Sequence, residues 1–220
     1  MTINISKYCK KLLDFLGIKS IIKSIYLKII PYTHYRMSIE EWDSQYSLKY
    51  WDSLKQIEQI SRYSVIAGYC NYLKECGTIL DLGCGEGILQ DRLCYNNYSY
   101  YVGVDYSAEA ISKTLNREDE KTRFVQADIS DYSPGQRFDL IIFNESLYYI
   151  KDPLRIVKRY VSFLEEGGLL IVSMLVTEKN NRLWKMIEQS YDIKDWVIVA
   201  NKLTGNSWVI KVLTNSSHND

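Results

Sequence analysis

The chain is 220 residues long, 46% hydrophobic and 13% aromatic, enough apolar material for one α/β domain with a substantial extension. Its 27 Lys and Arg balance 27 Asp and Glu, so the broad basic field of a nucleic-acid binder is missing and no nucleic-acid partner is expected. Five cysteines with no C-x-x-C pair and only two histidines argue against a zinc site or a disulfide framework.

Residues 1–38 differ in composition from the rest of the chain. Lys7, Lys10, Lys11, Lys19, Lys23, Lys28 and Arg36 stand against one acid, Asp14, and leucines and isoleucines recur at roughly helical spacing until Pro31. This basic amphipathic extension has two readings. It packs on a neighbouring domain or second subunit, or residues 5–30 rest on anionic lipid, with the protein peripheral to the membrane. No apolar run reaches the length of a membrane span and no signal peptide with a cleavage site is evident, so a cytoplasmic location and no transmembrane segment are expected. The oligomeric state stays open.

Residues 39–76 read as helical, with Trp42, Tyr46, Tyr50, Trp51, Leu54 and Ile57 opening a series at three- and four-residue steps and Gly77 closing it. A core over 77–214 comes next. Strands are expected near 78–82, 100–104, 122–126, 138–143 and 168–174, and helices near 86–95, 107–116 and 153–164. Pro153 sits where a first-turn proline is tolerated. Short apolar runs alternating with helices predict a parallel sheet covered on both faces. One more helix is expected over 181–190. Trp196 to Val199 and Trp208 to Leu213, flanking the turn-rich 203–207, then predict a hairpin. Residues 215–220 are polar and expected to fray.

The most informative stretch runs from Ile79 to Gly87. An apolar run stops at Asp81 and enters a turn with Gly83, Gly85 and Gly87; a second run ends in Asp105, 22 residues after Gly83. Strand, glycine-rich turn, helix, strand and terminal acid make a nucleotide-binding βαβ layout, in which the carboxylate can accept both ribose hydroxyls. The G-x-G-x-G spacing, with Asp81 before it and Glu86 inside it, would repel a pyrophosphate and suit a cationic ligand. Cys84, a small residue in the loop, reads as packing.

At these residues the chain resembles the class I S-adenosylmethionine-dependent methyltransferases. The likeness continues through Val125 to Ile129, Phe138 to Phe143 and Glu165 to Val172, in the family's order. It implies a Rossmann-like, doubly wound seven-stranded sheet with a C-terminal antiparallel hairpin, and a helical cap at 39–76 over the cofactor and substrate cleft. The cofactor implied is S-adenosylmethionine, with S-adenosylhomocysteine as product and no metal. On this resemblance Asp105, with Tyr106 beside it, serves the ribose. Asp128 accepts from the adenine amino group and Ile129 flanks the ring. Gly83, Gly85 and Gly87 give backbone contact to the methionine portion, and Asp81 holds the loop or faces the ammonium. Asn144 borders the reacting centre. The simpler roles, capping the helix after Ser107 for Asp105 and a turn for Asp128, stay open.

The methionine carboxylate needs donors. Arg62 is the candidate, since a guanidinium binds a carboxylate bidentately, with a solvated helix arginine as the alternative. Tyr46 and Tyr50 could close over the sulfonium, because aromatic faces attract cations. On the acceptor side Glu145 and His34 compete as general base, and Tyr148 could orient the acceptor. The sequence after Asn144 lacks the Asn/Asp-Pro-Pro-Tyr/Phe pattern common among amine and nucleic-acid methyltransferases of this fold. The expected activity is methyl transfer to a hydroxyl of a sugar or glycan, through loose likeness to polysaccharide and secondary-metabolite pathway members. Two alternatives stay open: N-methylation of an amino-sugar or small amine, and a catalytically silent partner-binding module.

Overall fold

The computed structural model describes residues 37–94 and 97–215. His34, the basic extension up to Arg36 and the tail from 216 onward lie outside the described residues. Seven strands form one sheet: β1 Gly77–Leu82, β2 Tyr98–Asp105, β3 Thr122–Gln126, β4 Phe138–Asn144, β5 Leu164–Leu175, β6 Tyr191–Ala200 and β7 Ser207–Asn215. Their spatial order is β3-β2-β1-β4-β5-β7-β6. The first five pair in parallel, while β7 inserts antiparallel between β5 and β6. The doubly wound sheet with its terminal antiparallel hairpin is thus as expected. The order reverses between β1 and β4, the switch point where the crevice of an open parallel sheet forms.

Successive strand residues point to opposite faces, and this builds two core layers. Ile79, Tyr101, Leu140, Ile142 and Ile171 pack with Tyr63, Ile66, Ala67 and Cys70 of helix α2, Ile57–Leu73. Leu80, Val102, Val104, Ile141, Phe143 and Val172 pack on the other face. They meet α4, Pro153–Val161, and α5, Glu178–Ile187, through Ile156, Val157, Tyr160, Leu183 and Ile187. Burial on both faces explains the unbroken apolar runs of β1 and β4. Among the described residues no helix is long and apolar enough to cross a membrane.

Three expected helices differ, each for a local reason. The stretch 39–76 is divided into α1, Ile39–Ser47, a 3₁₀ turn over Asp52–Lys55, and α2. A capping box opens α1: Ser38 Oγ accepts from the Glu41 N–H and Glu41 accepts from the Ser38 N–H. Lys49, in a left-handed conformation at φ +59°, breaks the path before Trp51. The closing left-handed residue is Cys76, at φ +56°, not Gly77, which begins β1. The helix expected over 86–95 is reduced to a 3₁₀ turn, Gln90–Arg92. Gly85 and Gly87 are left-handed at φ +56° and +73°, which no α-helix tolerates, and Arg117 donates to the carbonyls of Glu86 and Gly87. The next, α3, shrinks to Ala108–Ser112 with a 3₁₀ turn at Leu115–Arg117.

Candidate functional site

A cavity of about 270 Å³ opens at the C-terminal ends of β1, β2 and β4, walled by α1, α2 and the start of β7. Asp81, near the end of β1, is 1% exposed. Tyr101 donates its hydroxyl to Asp81 Oδ2 at 2.8 Å, while buried Oδ1 has no hydrogen-bond partner. Burial pushes the carboxyl up to about 7, against the Tyr101 hydrogen bond and the Arg62 charge, which favour ionisation. An orphaned acceptor in an enclosed site is the mark of a missing donor.

The loop after Asp81 is shaped by what it must approach. Gly83 is left-handed at φ +84°, and a Cβ there would lie 2.4 Å from Ser146 Cβ. Ser146 is fixed by donating its hydroxyl to the Leu82 carbonyl. At Gly85 a Cβ would meet the Tyr46 hydroxyl at 2.8 Å. Gly87 does not line the cavity: its open face is filled by Arg117 and Phe124, so its role is the turn rather than ligand contact.

Asp105 ends β2. Its Oδ2 accepts from the Gly85 N–H at 2.8 Å and its Oδ1 from the Ser107 N–H at 2.9 Å. The carboxylate therefore ties the glycine loop to the turn before α3. Burial raises it to about 6 despite those bonds. Ser107, rather than Asp105, caps α3 by accepting from the Ala110 N–H. Asp43 of α1 accepts from the Ser107 hydroxyl and the Glu109 N–H, and Lys113 donates to the Tyr46 carbonyl, so α1 is anchored to this end of the sheet. Tyr106, Asp128 and Ile129 also line the cavity. Asp128 holds a turn, its Oδ1 accepting from the Ser130 N–H at 2.8 Å.

Glu86 departs from its expected part beside Asp81. Burial opposes its charge, but ion pairs with Lys55 and Lys113 more than offset this, and its carboxyl lies below the usual range. Its charge is already answered by protein cations, so it brings no uncompensated negative charge to a cationic ligand.

Arg62 is 1% exposed on α2, which rules out a solvated helix arginine. It donates to Asn144 Oδ1 and, from Nε and Nη2, to Gln59 Oε1 at 3.3 and 3.0 Å. Its guanidinium lies 4.4 Å from the Tyr63 ring centre and 5.6 Å from that of Trp208. Among the described residues it makes no ion pair. A buried cation with neutral partners calls for an anion.

Glu145 and Tyr148 also line the cavity, and Tyr148 donates to Glu145 Oε2 at 2.9 Å. The predicted residues Arg62, Tyr46, Asp81, Gly83, Gly85, Asp105, Tyr106, Asp128, Ile129, Asn144, Glu145 and Tyr148 thus share one chamber, and Gly87 is left outside it. Tyr50 is 71% exposed and takes no part in the lining, which corrects its expected place over the ligand.

Sequence reasoning missed Trp42, Trp51 and Tyr149 as one aromatic wall. Trp42 stacks on Trp51 at 5.6 Å and meets Tyr149 edge-on at 5.2 Å. Helical spacing of Trp42 and Tyr46 was the available signal. Tyr149, in the 3₁₀ turn Leu147–Tyr149, and Trp208, on β7, are far from α1 in the chain and give none. Among the described residues no group of His, Cys, Asp and Glu could hold a metal ion.

A methyltransferase-domain family matches residues 47–197. Trans-aconitate 2-methyltransferase of Agrobacterium fabrum is 29% identical over 142 residues, 60% of this chain and 50% of its own length. A ubiquinone biosynthesis O-methyltransferase of Coxiella burnetii is 27% identical over 117 residues, 51% of this chain and 50% of its own. The chain therefore spans about half the length of these two curated relatives. In fold it resembles the N-methyltransferase NodS of Bradyrhizobium japonicum, solved with S-adenosylhomocysteine. The TM-score is 0.64 at 17% identity, over 76% of this chain and 92% of that one.

Proposed function

We propose that this chain, which belongs to the class I S-adenosylmethionine-dependent methyltransferases, methylates a hydroxyl of a small polar acceptor such as a sugar or glycan unit. The observation that carries the reading is the single chamber shared by the glycine loop, Asp81, Asp105, Arg62 and Asn144. Its residues fit the cofactor. The orphaned Asp81 Oδ1 suits the ammonium, and Arg62 suits the carboxylate borne by the same α-carbon. Asp105 keeps lone pairs for a ribose diol beyond those used by Gly85 and Ser107. Asp128 and Ile129 serve the base. When bound, the cofactor supplies a methyl group on a sulfonium.

The protein's task is then alignment and exclusion of water. Tyr46 presents a buried ring beside the glycine loop, where a cationic centre is stabilised by an aromatic face. Residues 39–76 act as the cap, and the Trp42, Trp51 and Tyr149 rings offer a surface on which a sugar ring can stack. Calorimetry with S-adenosylmethionine and S-adenosylhomocysteine tests the base of this reading; no detectable binding at millimolar ligand would end it.

A second reading, N-methylation of an amino-sugar or small amine, is favoured by one observation. The Glu145 carboxylate already accepts from Ser173 Oγ, Tyr148 Oη and the Leu175 N–H, so it is poorly placed to take a proton from an alcohol. An amine with a free lone pair needs no such base. Screening S-adenosylmethionine consumption against matched hydroxyl and amino sugars separates the two.

Asp105→Ala should weaken cofactor binding by about 1–3 kcal/mol, the range for losing a charged acceptor. Equal affinity in a folded variant would remove the ribose assignment. Asp81 adds a pH dependence. In the free protein it titrates at about 7, and a docked ammonium favours its ionised form. Binding should therefore release protons near neutrality, and affinity should rise as pH increases towards about 7, then flatten. Calorimetry in buffers of different ionisation enthalpy reads the released proton; its absence in the wild type, or its persistence in Asp81→Asn, would contradict the assignment.

A further inference from the structure

Glu145 has an unusual backbone. It is left-handed at φ +60°, directly after β4, where a non-glycine residue is strained. Strain of this kind persists only where the surroundings over-determine it, and here they do. The Glu145 N–H donates to the Ser173 carbonyl at 3.0 Å. Oε1 accepts from Ser173 Oγ at 3.0 Å, and Oε2 accepts from the Leu175 N–H at 3.1 Å and the Tyr148 hydroxyl at 2.9 Å. One side chain thus joins the ends of β4 and β5 to the turn that carries Tyr148 and Tyr149.

We propose that Glu145 is a positioning residue, which holds the Tyr148 proton so that the Tyr148 oxygen meets the methyl acceptor as a hydrogen-bond acceptor. This rests on the reading of the chamber as a methyl-transfer site. A phenol has one proton, and with that proton committed to Oε2 only lone pairs remain for a ligand. Burial, the Glu145 charge and the Tyr149 hydroxyl all push the Tyr148 phenol far up, so it stays protonated and does not act as a base. Arg62 is the cation acting on the Glu145 carboxyl; burial nonetheless raises that carboxyl above its ordinary value. The acceptor selected is one that offers an O–H or N–H beside the reacting atom. A fully ionised carboxylate has no proton to give and would face the Glu145–Tyr148 pair unfavourably. The site therefore fits hydroxyl and amine acceptors and disfavours carboxylate ones.

Gln is isosteric and can keep every contact. Its carbonyl takes the Tyr148 and Leu175 donors, and its amide donates to Ser173 Oγ, a hydroxyl that can turn to accept. The test labels tyrosine with ¹³C at Cζ, identifies the Tyr148 resonance by its loss in Tyr148→Phe, and tracks it in the wild type, Glu145→Gln and Glu145→Ala. Glu145→Gln should hold the resonance near the position that the wild type reaches at low pH, and Glu145→Ala should displace it further. In the wild type it should move with a carboxyl titration that Glu145→Gln abolishes. This last comparison decides the matter even if the alanine variant does not fold. A Tyr148 resonance indifferent to pH and to both substitutions would overturn the proposal, as would equal displacement by Gln and Ala. S-adenosylhomocysteine binding is measured alongside and should stay within about threefold in the Gln variant. Its absence in the wild type would defeat the methyl-transfer reading, while the Tyr148 signal would still decide the role of Glu145.

Discussion

Gly83→Ala should lower stability by about 2–5 kcal/mol and abolish detectable cofactor binding, because two penalties meet at one atom. The residue is left-handed at φ +84°, where an L side chain costs about 1–2 kcal/mol. The added methyl would also lie 2.4 Å from Ser146 Cβ, deep inside van der Waals contact. Ser146 cannot easily retreat, since its hydroxyl is bound to the Leu82 carbonyl and it stands between strained Glu145 and fully buried Leu147. Relief must come from moving the loop away from β4, which spreads the wall that faces the ligand. Overpacking of this kind costs about 1–3 kcal/mol more. Gly135 provides the control: it is left-handed at φ +71° with nothing within 4 Å of its added Cβ. Gly135→Ala should cost only the conformational share, about 1–2 kcal/mol. Denaturant titration of both variants isolates the packing contribution; equal losses would mean that the approach to Ser146 is not rigid.

The glycine loop also shows what the amino-acid order could and could not reveal. Asp81, Gly83, Gly85 and Asp105 were legible because a tight turn at a strand's end needs particular residues at fixed offsets. The same local logic failed at Gly87, which serves a turn packed by Arg117 and Phe124 instead of the chamber. The helix expected after the loop is missing for a related reason: the glycine freedom that allows close approach to a ligand also stops a helix. Strand positions survived well, since β1 and β4 are buried on both faces and leave unbroken apolar runs. Glu145 is a different case. Its position at the end of β4 was visible, but its three donors come from Tyr148, Ser173 and Leu175, and the two on β5 are related to it only by sheet pairing. Spacing says where a carboxyl sits and not what already holds it.

Arg62→Met should cut cofactor affinity by roughly 10- to 150-fold, equivalent to about 1.5–3 kcal/mol for hydrogen bonds to a charged group, with little loss of stability. The two effects separate because of how Arg62 is buried. It is 1% exposed, yet its hydrogen bonds go to the neutral side chains of Gln59 and Asn144. Desolvating a guanidinium whose hydrogen-bond partners are neutral, with the Asp81 and Glu145 carboxyls acting on it without direct contact, opposes folding. Replacing a buried charge by an apolar side chain of similar length is often neutral or stabilising. Against that stand two carbonyl oxygens, on Gln59 and Asn144, which lose a donor but face a chamber that water can enter. The folding balance is therefore near zero. In the complex the sign changes, since an anion placed against the same guanidinium gains both its charge and its forked geometry. Arg62→Lys keeps the charge and loses the fork, so its affinity should fall between the two. Thermal unfolding with and without S-adenosylhomocysteine reads both quantities in one experiment. The wild type should gain stability on adding ligand at a concentration where Arg62→Met gains almost none. Equal ligand-induced stabilisation in the two proteins would place the anion-binding role elsewhere. A large loss of stability in the ligand-free variant would mean that Arg62 is held for folding rather than for the ligand.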